Sequence, residues 1–211
     1  DYPVSAFFNN VTQQWQMLAR PRGSDRRIAS HNLLRNLSGY ESNSLPQLVL
    51  DTDGDDSSLA EFYGILAIPY AGYFLGLLDV YHVPQGLTTG EIASNSPHKY
   101  LTGKSDVELA HSLNGQYWKR TARTPLIPNG PPGSLSAGLL YPSSIHQTVR
   151  AGTNEPSTNG EKIVITASSS ALEHGIFSYD NGTGSVEMLS YELRKDGWVY
   201  LESRGGVGLV G

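Results

Sequence analysis

An all-β fold is the architecture this sequence predicts, and three observations predict it. Turn residues are abundant, with 23 Gly and 12 Pro in 211 residues, while charged residues make up only 17%. Short segments rich in β-branched and aromatic residues recur with period-two alternation, separated by Asn-Gly, Asp-Gly, Gly-Pro or Ser-Asn punctuation. No segment carries a helical apolar stripe over three turns.

In chain order the predicted strands are QWQMLARP (14–21), RIASHNLL (27–34), PQLVLDT (46–52), FYGILAIPY (62–70) and YFLGLLDVYH (73–82). They continue with VELAHSL (107–113), QYWKRTA (116–122), KIVITASS (162–169), VEMLSYELR (186–194) and WVYLES (198–203). The most apolar stretch, ILAIPYAGYFLGLLDVY, is broken by Pro69, Gly72 and Gly76, so it reads as two buried strands around a turn. It falls short of the roughly 18 uninterrupted apolar residues of a membrane span. The segment Leu109–Pro128 reads as two strands around the Asn114-Gly115 turn.

The net charge of −5 argues against a polyanion as main partner. The arginines of RPRGSDRR (20–27) read as a loop and a strand edge rather than a nucleic-acid patch. With no Cys, the chain has neither a disulfide scaffold nor a thiolate metal site. Three N-glycosylation sequons, at Asn10, Asn36 and Asn181, favour an extracellular, secreted protein. The chain begins without Met and without a signal peptide, and reads as mature, processed or truncated.

Polar residues after strand-like segments recur at Asn32, Asn114 and Asp196, at equal intervals of 82 residues. Half that interval, about 41 residues, is the scale of one four-stranded propeller blade. The run Ser112-x-Asn114-Gly115-x-x-Trp118-x-Arg120, followed by Pro125, resembles the blade hairpin of five-bladed β-propeller glycoside hydrolases, the family 32 and family 43 group. Ser30–Asp56 resembles an earlier variant of that hairpin, Ala60–His82 the next blade, and Leu193–Ser203 the strand that leads into a following β-sandwich. The resemblance implies a glycosidase-like β-propeller over 1–211, or its C-terminal blades, with a transition to a sandwich across 190–211. A complete five-bladed ring takes roughly 280–300 residues at about 40–50 per blade, so the expectation is an incomplete propeller or a smaller fold. In the loop Gly130–Gly138, Ser136 stands where the resemblance expects a carboxylate.

Glycoside hydrolysis uses two carboxyl groups across a sugar ring. Glu61 and Asp79, both on apolar strands, are the candidates; each is either an inward-facing functional group or a strand-end surface residue. Tyr63, Tyr81, Trp118, Arg120 and His174 are the candidate sugar contacts, through stacking, charge pairing and hydrogen bonding. Trp118 has packing as its alternative, and His174 an ordinary loop position. Asp51, Asp53 and Asp55 in DTDGDD offer alternating carboxylates that suit calcium or form a solvated acidic turn; no other cofactor is expected. The remaining histidines show no ligand-like pairing, and phosphate-loop, nucleophile-elbow and dinucleotide motifs are missing from the sequence. Two functional readings follow. One is an extracellular carbohydrate-active hydrolase. The other is a non-catalytic glycoprotein that binds glycan or assembles with other chains.

Overall fold

The computed structural model describes residues 5–20, 28–33, 46–57, 60–82, 103–120, 122–148, 162–174, 186–195 and 197–198. These residues form strands without a helix: β1 (Ser5–Asn9), β2 (Gln14–Ala19), β3 (Ile28–Leu33), β4 (Gln47–Leu50), β5 (Glu61–Tyr70) and β6 (Tyr73–His82), then β7 (Lys104–Ser112), β8 (Lys119–Arg120), β9 (Leu139–Thr148), β10 (Lys162–Ser170) and β11 (Val186–Arg194). They make three antiparallel sheets in which neighbours in sequence are neighbours in space: β1–β2–β3–β4, β5–β6–β7–β8 and β9–β10–β11. Consecutive pairing of this kind needs only short connections, which is what frequent Gly and Pro supply.

The all-β expectation stands. The glycosidase-like propeller does not, and neither does the family 32/43 resemblance. The three sheets are not closed into a ring among the described residues. Sheet 1 packs on sheet 2 and sheet 2 on sheet 3, with no contact of comparable extent between sheets 1 and 3. One of the three supposed repeat turns is not a turn either, since Asn32 lies inside β3 opposite Gln16. Asp196 falls outside the described residues.

The layering explains the sequence of the middle sheet. One apolar cluster, with Phe7, Leu18, Ile28, Phe62, Ile65, Leu78 and Trp118, fills the space toward sheet 1. A second, with Leu77, Val107, Leu109, Leu140, Ile163 and Ile165, fills the space toward sheet 3. Strand β6 therefore buries both faces, and its near-continuous apolar run replaces simple alternation. The β5–β6 hairpin closes as the sequence suggested, through Ala71 and Gly72, both at positive φ (48° and 83°). That is the two-residue turn whose twist matches the flanking strands. Pro69 is tolerated because β5 is an edge strand. Gly76 keeps β6 close to the core, since an added Cβ would lie 2.8 Å from Trp118 Cζ3.

Two strands were not predicted. β1 is only five residues long. β9 carries Pro142, which argues against a strand from sequence; in the fold it sits at a bulge, where the register skips Ser143 between Ser144 and Pro142. The predicted QYWKRTA strand shrinks to Lys119–Arg120, because Ser112 Oγ and Asn114 Oδ1 accept the N–H groups of residues 114–117 and hold a broad loop. Residue 190, the expected start of a transition, lies inside β11, which pairs with β10 from Val186 to Arg194.

Candidate functional site

The predicted site residues separate into two places. The first is built around Tyr63, which the sequence placed on a regular strand. It is the extra residue of a bulge: the β5–β6 register passes from Phe62↔Val80 to Gly64↔Asp79 and leaves Tyr63 unopposed. Bulges re-aim side chains and recur beside functional sites. Here Tyr63 meets residues from all three layers. Its ring lies 5.1 Å from Tyr81 of β6, edge-on, and 6.2 Å from Tyr141 of β9. The His174 ring, beyond β10, is 5.2 Å from both Tyr63 and Tyr81. Tyr63 Oη and His174 Nε2 share a hydrogen bond of 2.9 Å. Arg20, which follows β2, sets its guanidinium carbon 4.6 Å from the centre of the Tyr63 ring. The His174 backbone is itself anchored, its N–H donating to the Gly103 carbonyl at 2.9 Å.

Carboxylates surround these rings. Burial pushes the Tyr63 hydroxyl up to about 12; Arg20 opposes the rise, and Glu61 and Asp79 add to it. Tyr81 is raised further, by burial first and then by Tyr63, Glu61 and Glu173. Both phenols are therefore neutral donors at physiological pH and not nucleophiles. Tyr63, Tyr141, His174, Glu61 and Glu173 are each half-buried, so the cluster has a surface.

Asp79 forms its floor. It is 0% exposed, and neither carboxylate oxygen has a hydrogen-bond partner among the described residues. The nearby Ser105 hydroxyl is committed to the backbone of Leu140, accepting its N–H and donating to its carbonyl, both at 3.2 Å. Burial holds the Asp79 pKa well above the usual carboxylate range; Ser105 and Arg20 oppose that rise and Asp106 reinforces it. The shift favours the protonated carboxyl relative to an exposed one. Asp106 is bonded through Oδ2 to His82 Nε2 at 3.1 Å, and its hydrogen bond raises the His82 pKa.

The second place is a groove of about 510 Å³ between β4 and β8, lined in part by Asp51, Asp53, Trp118, Arg120 and Arg123. Its arginines and buried carboxylates pair with one another. Arg120 holds Glu108 through two bonds, Nε to Oε2 at 2.7 Å and Nη2 to Oε1 at 2.8 Å, and bonds Asp56 through Nη1. Burial works against the Arg120 charge, but the bonds to Glu108 and Asp56 more than offset it and raise its pKa. Trp118 is 6% exposed and donates its indole N–H to the Gly115 carbonyl at 2.8 Å, so it packs rather than presents a face. In the acidic turn, Asp53 is bonded to Arg123 and accepts the Asp55 N–H at 3.0 Å, and Asp51 accepts the Thr52 N–H at 2.8 Å. Among the described residues no group of three or more His, Asp or Glu is arranged to hold a metal ion.

Ser136 is not among the tyrosine cluster's contacts; it lies near the Tyr191 hydroxyl of β11. Asn10 is exposed in the β1–β2 turn, and Asn36 and Asn181 fall outside the described residues. Sequence reasoning missed Tyr141, Arg20, Ser105 and Asp106 as members of the cluster. Tyr141 was hidden because Pro142 masked its strand, and Arg20 because it read as part of a basic loop.

No protein-family profile matches the chain, and no curated protein sequence matches it. Among solved structures it is similar to an N-acetylgalactosamine deacetylase from F. plautii in complex with blood group B trisaccharide. The identity is 13% and the TM-score 0.49, over 79% of this chain and 40% of that one. The chain thus spans less than half of that protein, which is a deacetylase and not a family 32 or 43 propeller. A likeness at this level carries no argument about the activity of this chain.

Proposed function

We propose that the chain binds a carbohydrate at the Tyr63–Tyr141–His174 cluster, outside the cell. The observation that carries the reading is the bulge at Tyr63, which brings three tyrosines and a histidine from the second and third sheets around one point. Aromatic rings accept the C–H faces of a sugar, and the half-buried Glu61 and Glu173 offer acceptors for its hydroxyls. The extracellular setting rests on the three sequons, of which Asn10 is exposed. Glycoside hydrolysis is the second reading, favoured by one observation: burial raises the Asp79 pKa, the direction a general acid needs. Its lack of any exposed surface makes binding the first reading.

Saturation-transfer NMR against a panel of neutral, acidic and amino sugars tests this, with Tyr63→Ala and His174→Ala as probes. We expect at least one sugar to receive saturation, and each variant to weaken it about tenfold, equivalent to about 1.4 kcal/mol, with the thermal midpoint preserved. No saturation across the panel, or saturation indifferent to both substitutions, overturns the reading.

A further inference from the structure

The tyrosine cluster holds a cation that no carboxylate pairs. Among the described residues Arg20, half-buried after β2, makes no ion pair. Its guanidinium lies over the Tyr63 ring, 4.6 Å from the centre, and near the Tyr63 hydroxyl. The arginines of the β4–β8 groove are treated differently. Arg120 takes Glu108 and Asp56, and Arg123 takes Asp53, Asp55 and Asp56. Carboxylates are not scarce, with 20 Asp and Glu against 15 Lys and Arg in the chain. Nor does Asp79, beneath the cluster, neutralise Arg20. Neither of its oxygens has a hydrogen-bond partner among the described residues, and burial disfavours its charged form.

The cluster is polarised. Arg20 acts on Tyr63 and on Asp79, whereas Glu173 acts on Tyr81. Glu61 reaches both phenols and stands directly across from Tyr81 in the β5–β6 register. A cation therefore marks the Tyr63 end and carboxylates the Tyr81 end. An arginine laid over a ring engages it with the face of the guanidinium. The N–H fork in its plane matches the two oxygens of a carboxylate. A guest that answers both ends carries a carboxylate for Arg20 and hydroxyl donors for Glu61 and Glu173. An acidic sugar has these on one ring. A neutral sugar leaves Arg20 unanswered, and the ammonium of an amino sugar is repelled by it.

We infer that the Tyr63 cluster selects carboxylate-bearing sugars, with Arg20 as the residue that reads the carboxylate. The inference rests on the carbohydrate reading and adds the class of sugar.

Saturation-transfer titrations of the full chain test it, comparing glucuronate with glucose and galacturonate with galactose. In at least one pair the acid should bind about tenfold more tightly than its neutral parent, the scale of one charge-assisted hydrogen bond. Arg20→Gln should bring that ratio to about one, and Arg20→Lys, which keeps the charge and loses the fork, should leave part of it. The lysine variant keeps the test informative if Arg20→Gln does not fold. Glucosamine should bind no more tightly than glucose. Equal binding of acid and parent in both pairs overturns the inference and leaves the carbohydrate reading standing. So does an acid preference undiminished in either variant that folds, or glucosamine bound more tightly than glucuronate. Saturation of no sugar at all overturns both.

Discussion

The acidic turn with its arginines and the tyrosine–histidine cluster are both knots of charge at the junctions of sheets, and they differ in one respect. In the first, charges are matched: Arg120, with a side chain only 6% exposed, faces Glu108 and Asp56, themselves 2% and 6% exposed. In the second, a fully buried carboxyl has no partner among the described residues. A matched network fixes geometry and leaves no valence for a ligand. An unmatched buried carboxyl costs stability, and such groups collect where a protein binds or reacts. The comparison turns a sequence full of candidate residues into one candidate site and one structural brace.

Breaking the brace should have the largest effect. Arg120→Ala leaves Glu108 buried without a cation and Asp56 with Arg123 alone, and should lower unfolding stability by about 3–5 kcal/mol in urea titrations. A loss below about 1 kcal/mol would place this network among ordinary surface pairs and remove the contrast. Asp79→Asn, in the unmatched knot, should act on the pH profile instead. The folded protein keeps the Asp79 proton above the ordinary value of 3.8. The folded state therefore binds more protons than the unfolded chain once pH exceeds 3.8. The contribution is fully present below 3.8 and lost as pH rises through the raised value. The variant should flatten this fall in the thermal midpoint while changing stability at low pH by about 1 kcal/mol or less. An unchanged slope would mean Asp79 is ionised in the fold.

Smaller effects sharpen the same contrast. Asp106→Asn removes the hydrogen bond that raises His82, so the His82 pKa should fall back toward 6.5 in an NMR titration. A His82 that titrates identically in both proteins would detach Asp106 from it. Arg123→Ala, at the exposed end of the brace, should leave the thermal midpoint nearly unchanged in differential scanning calorimetry, because solvent screens its pairs with Asp53 and Asp55 and the buried Asp56 keeps Arg120. A clear drop would extend the structural network to the loop surface.

Much of the strand pattern is legible in the amino-acid order. The alternation and the Pro and Gly punctuation of residues 61–82 specify the β5–β6 hairpin, since a turn at Ala71–Gly72 and a two-residue side-chain period are local properties. The candidates Glu61, Tyr63, Asp79, Tyr81 and His174 are also visible one by one, as polar or aromatic groups in apolar surroundings. Closure is different. Strand pattern is compatible with any number of sheets stacked face to face, so the blade-sized spacing and the hairpin resemblance imply a ring that three open sheets do not form.

The sequence by itself determined the all-β class, the hairpins and which residues are chemically able to serve a site, because these follow from side-chain period and backbone preference over a few positions. Only the tertiary structure decided that Trp118 and Arg120 turn inward to packing and ion pairs, and that Tyr63, Tyr141, His174 and Arg20 meet. The Tyr63 bulge illustrates the reason. One unpaired residue in β5 redirects one side chain, and its consequence depends on residues up to 111 positions away along the chain, as in the Tyr63–His174 hydrogen bond. No local pattern records a contact of that separation.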